Sequence, residues 1–548
     1  MVRLKGLPGN HLGIGASIQL SGGPVEQTQE MILGGQYLSC SEPVRVFAAG
    51  DKPMRLEVAW RSGRRSIVEG VLANHVYEMD EAGAASSPSS TPSPGPALFE
   101  NWTRHLNHAH AESAFDDFTA QPLAPRRFSQ NGPGIAVGEL DGGDHDDIAV
   151  ASGAGGGVAL FRGDGGGNFE GNSNDLGQPL HDDARAMVRL PRMRGGNTLF
   201  ASLAGYESDR KGSPSILSWD GVRGNWKPGA SLGSLLGSAG PLALGDMDGS
   251  GKLALFAGSR FMPGRFPEAG RSALFLEANG HWAAAPESSP VFAGAGMVSA
   301  ATWADLDNDG LPELILACDW GPIRVFQRRE GKWLEITQPL GFSEHVGWWN
   351  SVVAGDFDGD GRLDLAAGNW GLNSRWQIWS EKAPGLLHGA VEGNGVVQVV
   401  ELTSDRESRQ WRPWRDHTML SSGFPSLAAG FSGHRAYSTS SIEQVLGPTR
   451  PNLKELKATT LATHVFLNRG NRFEAHPLPA EAQLAPVFGL VVADFDGDGH
   501  EDLFLAQNFF ATRPEDERLG AGQVLLLRGD GKGGFIAMRA PEIGRAHV

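Results

Sequence analysis

Cysteine is nearly missing from this chain of 548 residues: Cys40 and Cys318 are the only two. They fall in stretches that read as different domains, so a disulfide framework does not hold the fold together, and they do not reveal the compartment. Long apolar runs are lacking as well. No stretch approaches the ~20 apolar residues that a bilayer span needs, and the opening MVRLKGLPGNHLGIG has no apolar core of a signal peptide. Positive charge is in deficit, with 47 Lys and Arg against 63 Asp and Glu and a formal net charge of -16. Nucleic acid is excluded as a partner because no cluster of bases is present to replace phosphate counterions; cations are the natural partners. Catalytic signatures are missing too. There is no Gly-x-Ser-x-Gly elbow, His-Glu-x-x-His helix or P-loop, and the runs around Gly156 and Gly165 lack the strand-to-helix setting of a phosphate cradle. No convergent acid and base can be found, so a non-enzymatic protein is expected.

What is abundant is turn chemistry. Gly 76 and Pro 33 against Tyr 4, with 40% hydrophobic residues, describe many short strands rather than long helices. The length exceeds one ordinary core unless repeats extend it. The last six residues, IGRAHV, match what a sequencing adapter would encode, and Met1 abuts a strand-like segment. The chain therefore reads as a fragment cut at both ends.

Residues 81–97, EAGAASSPSSTPSPGPA, offer a core almost nothing and have the composition of an extended tether. Ahead of it, over residues 1–80, strand-like runs at 16–20, 44–48 and 55–60 between Gly-rich breaks predict a small β domain. Its Asn10, Gly13-Ile14-Gly15-Ala16, Gly34-Gly35 with Tyr37-Leu38-Ser39, and Val58-x-Trp60 leading to Ser62-Gly63 resemble the ASPIC/UnbV domain. Arg61 and Cys40 stand where that family usually has Pro and a polar residue. Members are typically joined to FG-GAP or VCBS repeats.

Behind the tether, over 98–548, one pattern recurs: an apolar strand, an acidic Gly-rich loop, a second apolar strand. It is clearest at ATWADLDNDGLPELILACDW, SVVAGDFDGDGRLDLAAGNW and LVVADFDGDGHEDLFLAQNF, with weaker copies at IAVGELDGGDHDDIAVASG and LALGDMDGSGKLALFAGS. A unit of roughly 50 to 60 residues accounts for the spacing if two further units have lost the loop, one at NTLFASLAG and one at GAVEGNGVVQVVE with Glu392 and Asn394 surviving. Seven units starting near 135, 185, 242, 299, 350, 388 and 488 predict an all-β, seven-bladed β-propeller. An open β solenoid is the alternative. The sixth unit carries a partly helical insertion at about 406–463.

Three loops are complete: Asp305, Asp307, Asp309 and Glu313; Asp356, Asp358, Asp360 and Asp364; Asp494, Asp496, Asp498 and Asp502. Carboxylates at positions 1, 3, 5 and 9 of a tight turn converge on one point, which suits Ca²⁺ with its six to eight hard oxygen ligands. Without a cation the same carboxylates repel and raise one another's pKa. An EF-hand would need an acid at position 12, where Leu316, Ala367 and Leu505 instead continue a strand. The plain alternative is a set of soluble acidic turns. No tight site is expected at Glu139, Asp141 and Asp147, with Gly143 at position 5, or at Asp246 and Asp248. The complete loops resemble the calcium loop of FG-GAP/VCBS repeats, as in the integrin α-subunit propeller. That resemblance implies a calcium-stabilised adhesion or recognition module in an extracellular, periplasmic or cell-surface setting, with a protein or glycan ligand.

Strand alternation places a second set of residues on the opposite face: Asp319-Trp320, Trp348-Trp349-Asn350, Asn369-Trp370 and Asn508-Phe509. Aromatic faces beside amides and carboxylates suit sugars, so this is a candidate ligand face; the alternative is that the rings wedge between blades. His105, His108, His110, Glu112, Asp116 and Asp117 could ligate a transition metal, although the spacing equally fits surface histidines.

Overall fold

The computed structural model describes residues 1–538 apart from 33–41, 87–97, 100–105, 107, 130, 173–175, 178, 193–195, 209–213, 234, 286–288, 377–383, 406, 429 and 432. Two compact units emerge, Met1–Pro96 and Ala97–Val548.

In the first unit, Val2–Lys5 pairs in parallel with Tyr77–Asp80, while Ser17–Ser21 and Met54–Ala59 lie inside a five-stranded sheet. Period-2 alternation buries Ile18, Leu20, Leu56 and Val58 around Trp60. Asn10 explains why the first loop turns as it does. Its Nδ2 donates to Ile14 O at 2.9 Å and its Oδ1 accepts from Ile14 N at 2.9 Å. Gly13 sits at φ +62°, where a Cβ would lie 2.9 Å from Leu4 Cβ. The unit extends past residue 80. Glu81 is buried and accepts from Leu7 N and Ser62 Oγ, and Ala85–Ser86 pairs with Arg64 and Arg65. The tether expected from 81 therefore starts too early by sequence. Gly34-Gly35, Tyr37-Leu38-Ser39 and Cys40 lie outside the described residues.

The second unit repeats a four-stranded antiparallel sheet. Six sheets begin with the strands Ile135–Gly138, Ala184–Arg192, Ala239–Gly245, Met297–Ala304, Ser351–Gly355 and Val487–Ala493. From the first sheet to the sixth, the first strands of successive sheets pack on one another. Polar ties join the same edges: Gly134 N donates to Ala184 O at 3.0 Å, Ser202 Oγ to Gly240 O at 2.6 Å, and Ser351 Oγ to Val487 O at 3.3 Å. Second strands are buried along nearly their whole length, as in Glu313–Gly321 and Asp364–Gly368, because both faces meet a neighbour. Leu314 and Phe326 pack with Phe256 of the preceding sheet, whereas Ile315 and Val325 pack with Leu365 of the following one. Fourth strands such as His281–Ala284 are mostly exposed and leave little apolar signal in the sequence. The segment ahead of the first sheet meets the sixth: Arg127 N donates to Ala511 O at 2.9 Å, and Arg513 Nη1 donates to Pro122 O and Ala124 O. The result is an all-β, propeller-like array.

The expected seventh blade is not a member of this series. Residues near 388 form a separate sheet of Gly385–Gly389, Gln398–Ser404, Trp411–Pro413 and Lys454–Lys457, inserted between the second and third strands of the fifth sheet. Leu365 pairs with Phe466 across the insertion. The short helices His417–Gly423, Pro425–Ala428, His434–Ser438 and Ile442–Leu446 belong to the same insertion, within the partly helical stretch expected at about 406–463.

Candidate metal loops and the opposite face

Every acidic loop joins a first strand to a second strand, so the five loops sit at equivalent places in five of the six sheets. In the sheet beginning at Ala184 the sequence places no carboxylate between the first strand, Ala184–Arg192, and the second, Gly196–Leu203, in keeping with NTLFASLAG as a loop-less unit. Within a complete loop the carboxylates divide the work. Asp356 accepts from Asp360 N and Gly361 N at 3.1 and 3.0 Å; Asp305 and Asp494 do the same for their own turns. The last acid of each loop starts the second strand and is buried. Asp364 accepts from Phe357 N at 3.0 Å and from Asn468 N at 2.7 Å, the latter on the third strand. Asp502 accepts from Phe495 N and Gly529 N, and Glu313 from Leu306 N and Gln327 Nε2.

Three of the four carboxylates in each loop approach one another closely. One oxygen from each of Asp305, Asp307 and Glu313 lies within 4.8 Å of the others, and the same holds for Asp356, Asp358 and Asp360, and for Asp494, Asp496 and Asp502. Asp309, Asp364 and Asp498 are not in these trios. Contrary to the contrast drawn from sequence, Glu139, Asp141 and Asp147 converge equally well, because Asp147 is held by Leu140 N and Gly163 N as its counterparts are. Asp246 and Asp248 form no such trio among the described residues. Burial first, then the charges of Asp307 and Asp309, raise the Glu313 carboxyl to about 7. Burial with Asp358 and Asp360 raises Asp364 to about 6. Guanidiniums lean over the loops from the third-strand side: Arg469 reaches Asp358 at 2.5 Å and Arg329 reaches Asp307 at 3.5 Å. The donor set, all hard oxygens within one glycine-bent turn, fits Ca²⁺.

On the opposite face the expected aromatics are present but covered. Trp320, Trp348 and Trp370 pack with Trp376 and with Leu386, Leu387 and Val399 of the inserted sheet in one core cluster. Trp348 lies 4.7 Å from Trp320 and 5.1 Å from Trp370, ring centre to ring centre, and Arg126 stands 4.5 Å over Trp370. The void among them is only about 30 Å³, room for about one water. Trp349 is fully buried, its Nε1 donating to His345 O at 3.1 Å. Trp320, Trp348, Trp349 and Trp370 are therefore not an open sugar platform: the insertion covers Trp320, Trp348 and Trp370, and Trp349 wedges between the fourth and fifth sheets. We expect Trp349→Ala to cost about 3–5 kcal/mol of stability, measured by urea unfolding, through the cavity it leaves. Asn369 is likewise structural, accepting from Trp348 N and Trp370 N while donating to Thr460 O and Ala462 O. Asp319 is buried between Arg126, at 2.6 Å, and Arg260, at 3.8 Å.

Phe509 belongs to the covered cluster, 5.2 Å from Trp370, but together with Asn350 and Asn508 it also borders a second space. The three line a cavity of about 680 Å³ into which all six sheets or their flanking turns project. Arg127, Arg185 and Arg260 line it as well. Nothing in the sequence pointed to these arginines, because they come from three separate segments and share no spacing. A further acidic trio, Glu112, Asp183 and Glu207, converges from three loops of this face and was hidden for the same reason. His105 lies outside the described residues, and His108 packs its ring edge-on to Phe161 at 5.6 Å. Among the described residues no histidine joins a converging metal-ligand group.

Six like sheets packed face to face, five of them opening on an acidic hairpin, define a propeller-like repeat module. Residues 305–367, running from one complete acidic loop through the next, match the FG-GAP-like repeat family, and residues 6–86 match ASPIC and UnbV. No curated protein matches the chain. Among solved structures it is similar to the six-bladed β-propeller lectin of Aleuria aurantia, 13% identical, covering 58% of this chain and 83% of that one with a TM-score of 0.28. It is also similar to a glycoside hydrolase family 43 arabinoxylan arabinofuranohydrolase from Bacillus subtilis, 11% identical, covering 51% and 71% with a TM-score of 0.24. Among the described residues no helix is long and apolar enough to cross a membrane.

Proposed function

We propose that this protein is a calcium-stabilised, non-enzymatic binding module that works outside the cytoplasm. The observation that carries the reading is the recurrence of a converging carboxylate trio in the first hairpin of successive sheets. Asp305, Asp307 and Glu313, Asp356, Asp358 and Asp360, and Asp494, Asp496 and Asp502 would hold the ions, with Glu139, Asp141 and Asp147 as a fourth set. Bound calcium supplies positive charge that neutralises each trio. All ligands of a trio come from one hairpin, so the residues arrange no position for a substrate, and the role is structural. Exposed loops of this kind fill at millimolar calcium, the extracellular range, which favours adhesion or recognition outside the cell.

Equilibrium dialysis at millimolar Ca²⁺ tests it. At least three ions per chain are expected, and Asp358→Ala with Asp360→Ala is expected to remove one of them without unfolding the protein. Folded protein with no bound calcium would end the proposal. The second reading, a carbohydrate-binding module, has one observation in its favour: the axial cavity, with asparagines and aromatic rings in its wall.

A further inference from the structure

The axial cavity has a charge opposite to that of the chain. Although the protein carries a formal net charge of -16, Arg127, Arg185 and Arg260 line this space and no acidic side chain is among its described lining residues. Arginines buried in a fold normally satisfy their forks with carboxylates or carbonyls. These do so incompletely. The Nε of all three is buried without a hydrogen-bond partner. Arg185 donates through Nη1 to Ser238 Oγ at 3.2 Å and through Nη2 to Phe128 O; burial weighs against its charged form, which Asp183 and Asp182 favour only in part. Arg260, 8% exposed, stands over the Phe261 ring and, among the described residues, pairs with no carboxylate but Asp319 at 3.8 Å, which it shares with Arg126. Burial and the like charges of Arg185 and Arg126 weigh against its charged form, pulling it down to about 9.

A second, independent observation lies in the same wall. Asn350 is 6% exposed, and both its Oδ1 and its Nδ2 are buried without a partner. An orphaned primary amide presents a donor and an acceptor together, the pair that a sugar hydroxyl satisfies. Phe488, 37% exposed, stacks 5.5 Å from the buried Phe509 at 23°, and Phe510 is 55% exposed; the exposed rings of Phe488 and Phe510 suit sugar C–H surfaces. The volume of about 680 Å³ lies within the range of small-ligand pockets.

We propose that the axial cavity binds a carboxylated sugar, its acid group held by Arg127, Arg185 and Arg260 and its hydroxyls by Asn350. The forked guanidinium matches a carboxylate two bonds at a time. A neutral sugar would leave the arginines unanswered, and a bare anion would leave the amide and the rings unused. The idea rests on the binding-module reading but not on calcium.

Isothermal titration of the full chain in saturating Ca²⁺, using the methyl glycosides of glucuronic and galacturonic acid, methyl glucoside and inorganic phosphate, provides the test. A uronate is expected to bind, with methyl glucoside at least tenfold weaker and phosphate weaker than the uronate. Arg260→Gln is expected to weaken uronate binding at least tenfold and Asn350→Ala several-fold. Should Arg260→Gln not fold, the half-buried Arg127→Gln serves in its place. Absence of uronate binding, equal affinity for methyl glucoside or phosphate, or unchanged affinity in the arginine variants would overturn the assignment. Calcium stoichiometry measured on the same samples separates this failure from failure of the metal loops.

Discussion

Chelating divalent cations at pH 8 is expected to lower the melting temperature by roughly 10 °C, because each loop at a hundredfold its Kd contributes about 2.7 kcal/mol. The sign of the effect with pH follows from the loop carboxyls. Glu313 and Asp364, raised to about 7 and about 6, favour the folded state while protonated. In chelator that contribution is fully present below about pH 4, the range of an unfolded carboxyl, and is lost as pH rises through 6 to 7, on the order of 2–3 kcal/mol for each group. Glu313, a member of its trio, ligates only when ionised, so the calcium-dependent gain of its loop grows across the same window. Urea unfolding at pH 5 and pH 8, with calcium and with chelator, measures both trends; a calcium effect as large at pH 5 as at pH 8 would contradict the assignment of these loops.

The second large effect concerns the inserted sheet. Glu401 is buried and bonded to Arg375 at 2.8 Å and to Arg415, while Asp516 of the sixth sheet's long loop accepts from Arg415 at 2.8 and 2.9 Å and from Arg375. Two guanidiniums thus share two carboxylates beneath the surface, pinning the insertion to the array above the tryptophan cluster. Glu401→Ala leaves Arg375 and Arg415 with half their counter-charge and is expected to cost about 3–5 kcal/mol. Loosening the sheet exposes Trp348, Trp370 and Trp376, so a red-shifted tryptophan emission and faster proteolysis within residues 385–457 should accompany the loss. Glu401→Gln retains the shape and some of the hydrogen bonds and is expected to lose less. Unchanged emission and protease resistance in the alanine variant would show that the network does not hold the insertion down.

The acidic hairpins were legible because everything that makes them lies within about twenty residues: two apolar strands and a turn whose glycines permit the bend. Asp356, Asp358 and Asp360 converge for that local reason. The special role of Asp364 was not legible, since its second partner, Asn468 N, reaches it from the far side of an insertion. The tryptophans show the opposite case. Trp320, Trp348 and Trp370 fit either a ligand face or a wedge between blades when only strand direction is known, and the residues that bury them, Leu386, Leu387 and Val399, lie in or beside a stretch that reads as a blade of its own.

From the amino-acid order alone came the β class, the repeating hairpin, the carboxylates that point into each turn and the small β domain ahead of them. These rest on neighbours in the chain and on the two-residue period of a strand. Tertiary structure alone decided that six sheets stand in series while a seventh is inserted, that the tryptophans are sealed, and that Arg127, Arg185, Arg260 and Asn350 meet around one cavity. Each of those outcomes depends on which distant strands pair and which faces are left uncovered, and no spacing in a linear sequence encodes a contact that forms only when the sheets close on one another.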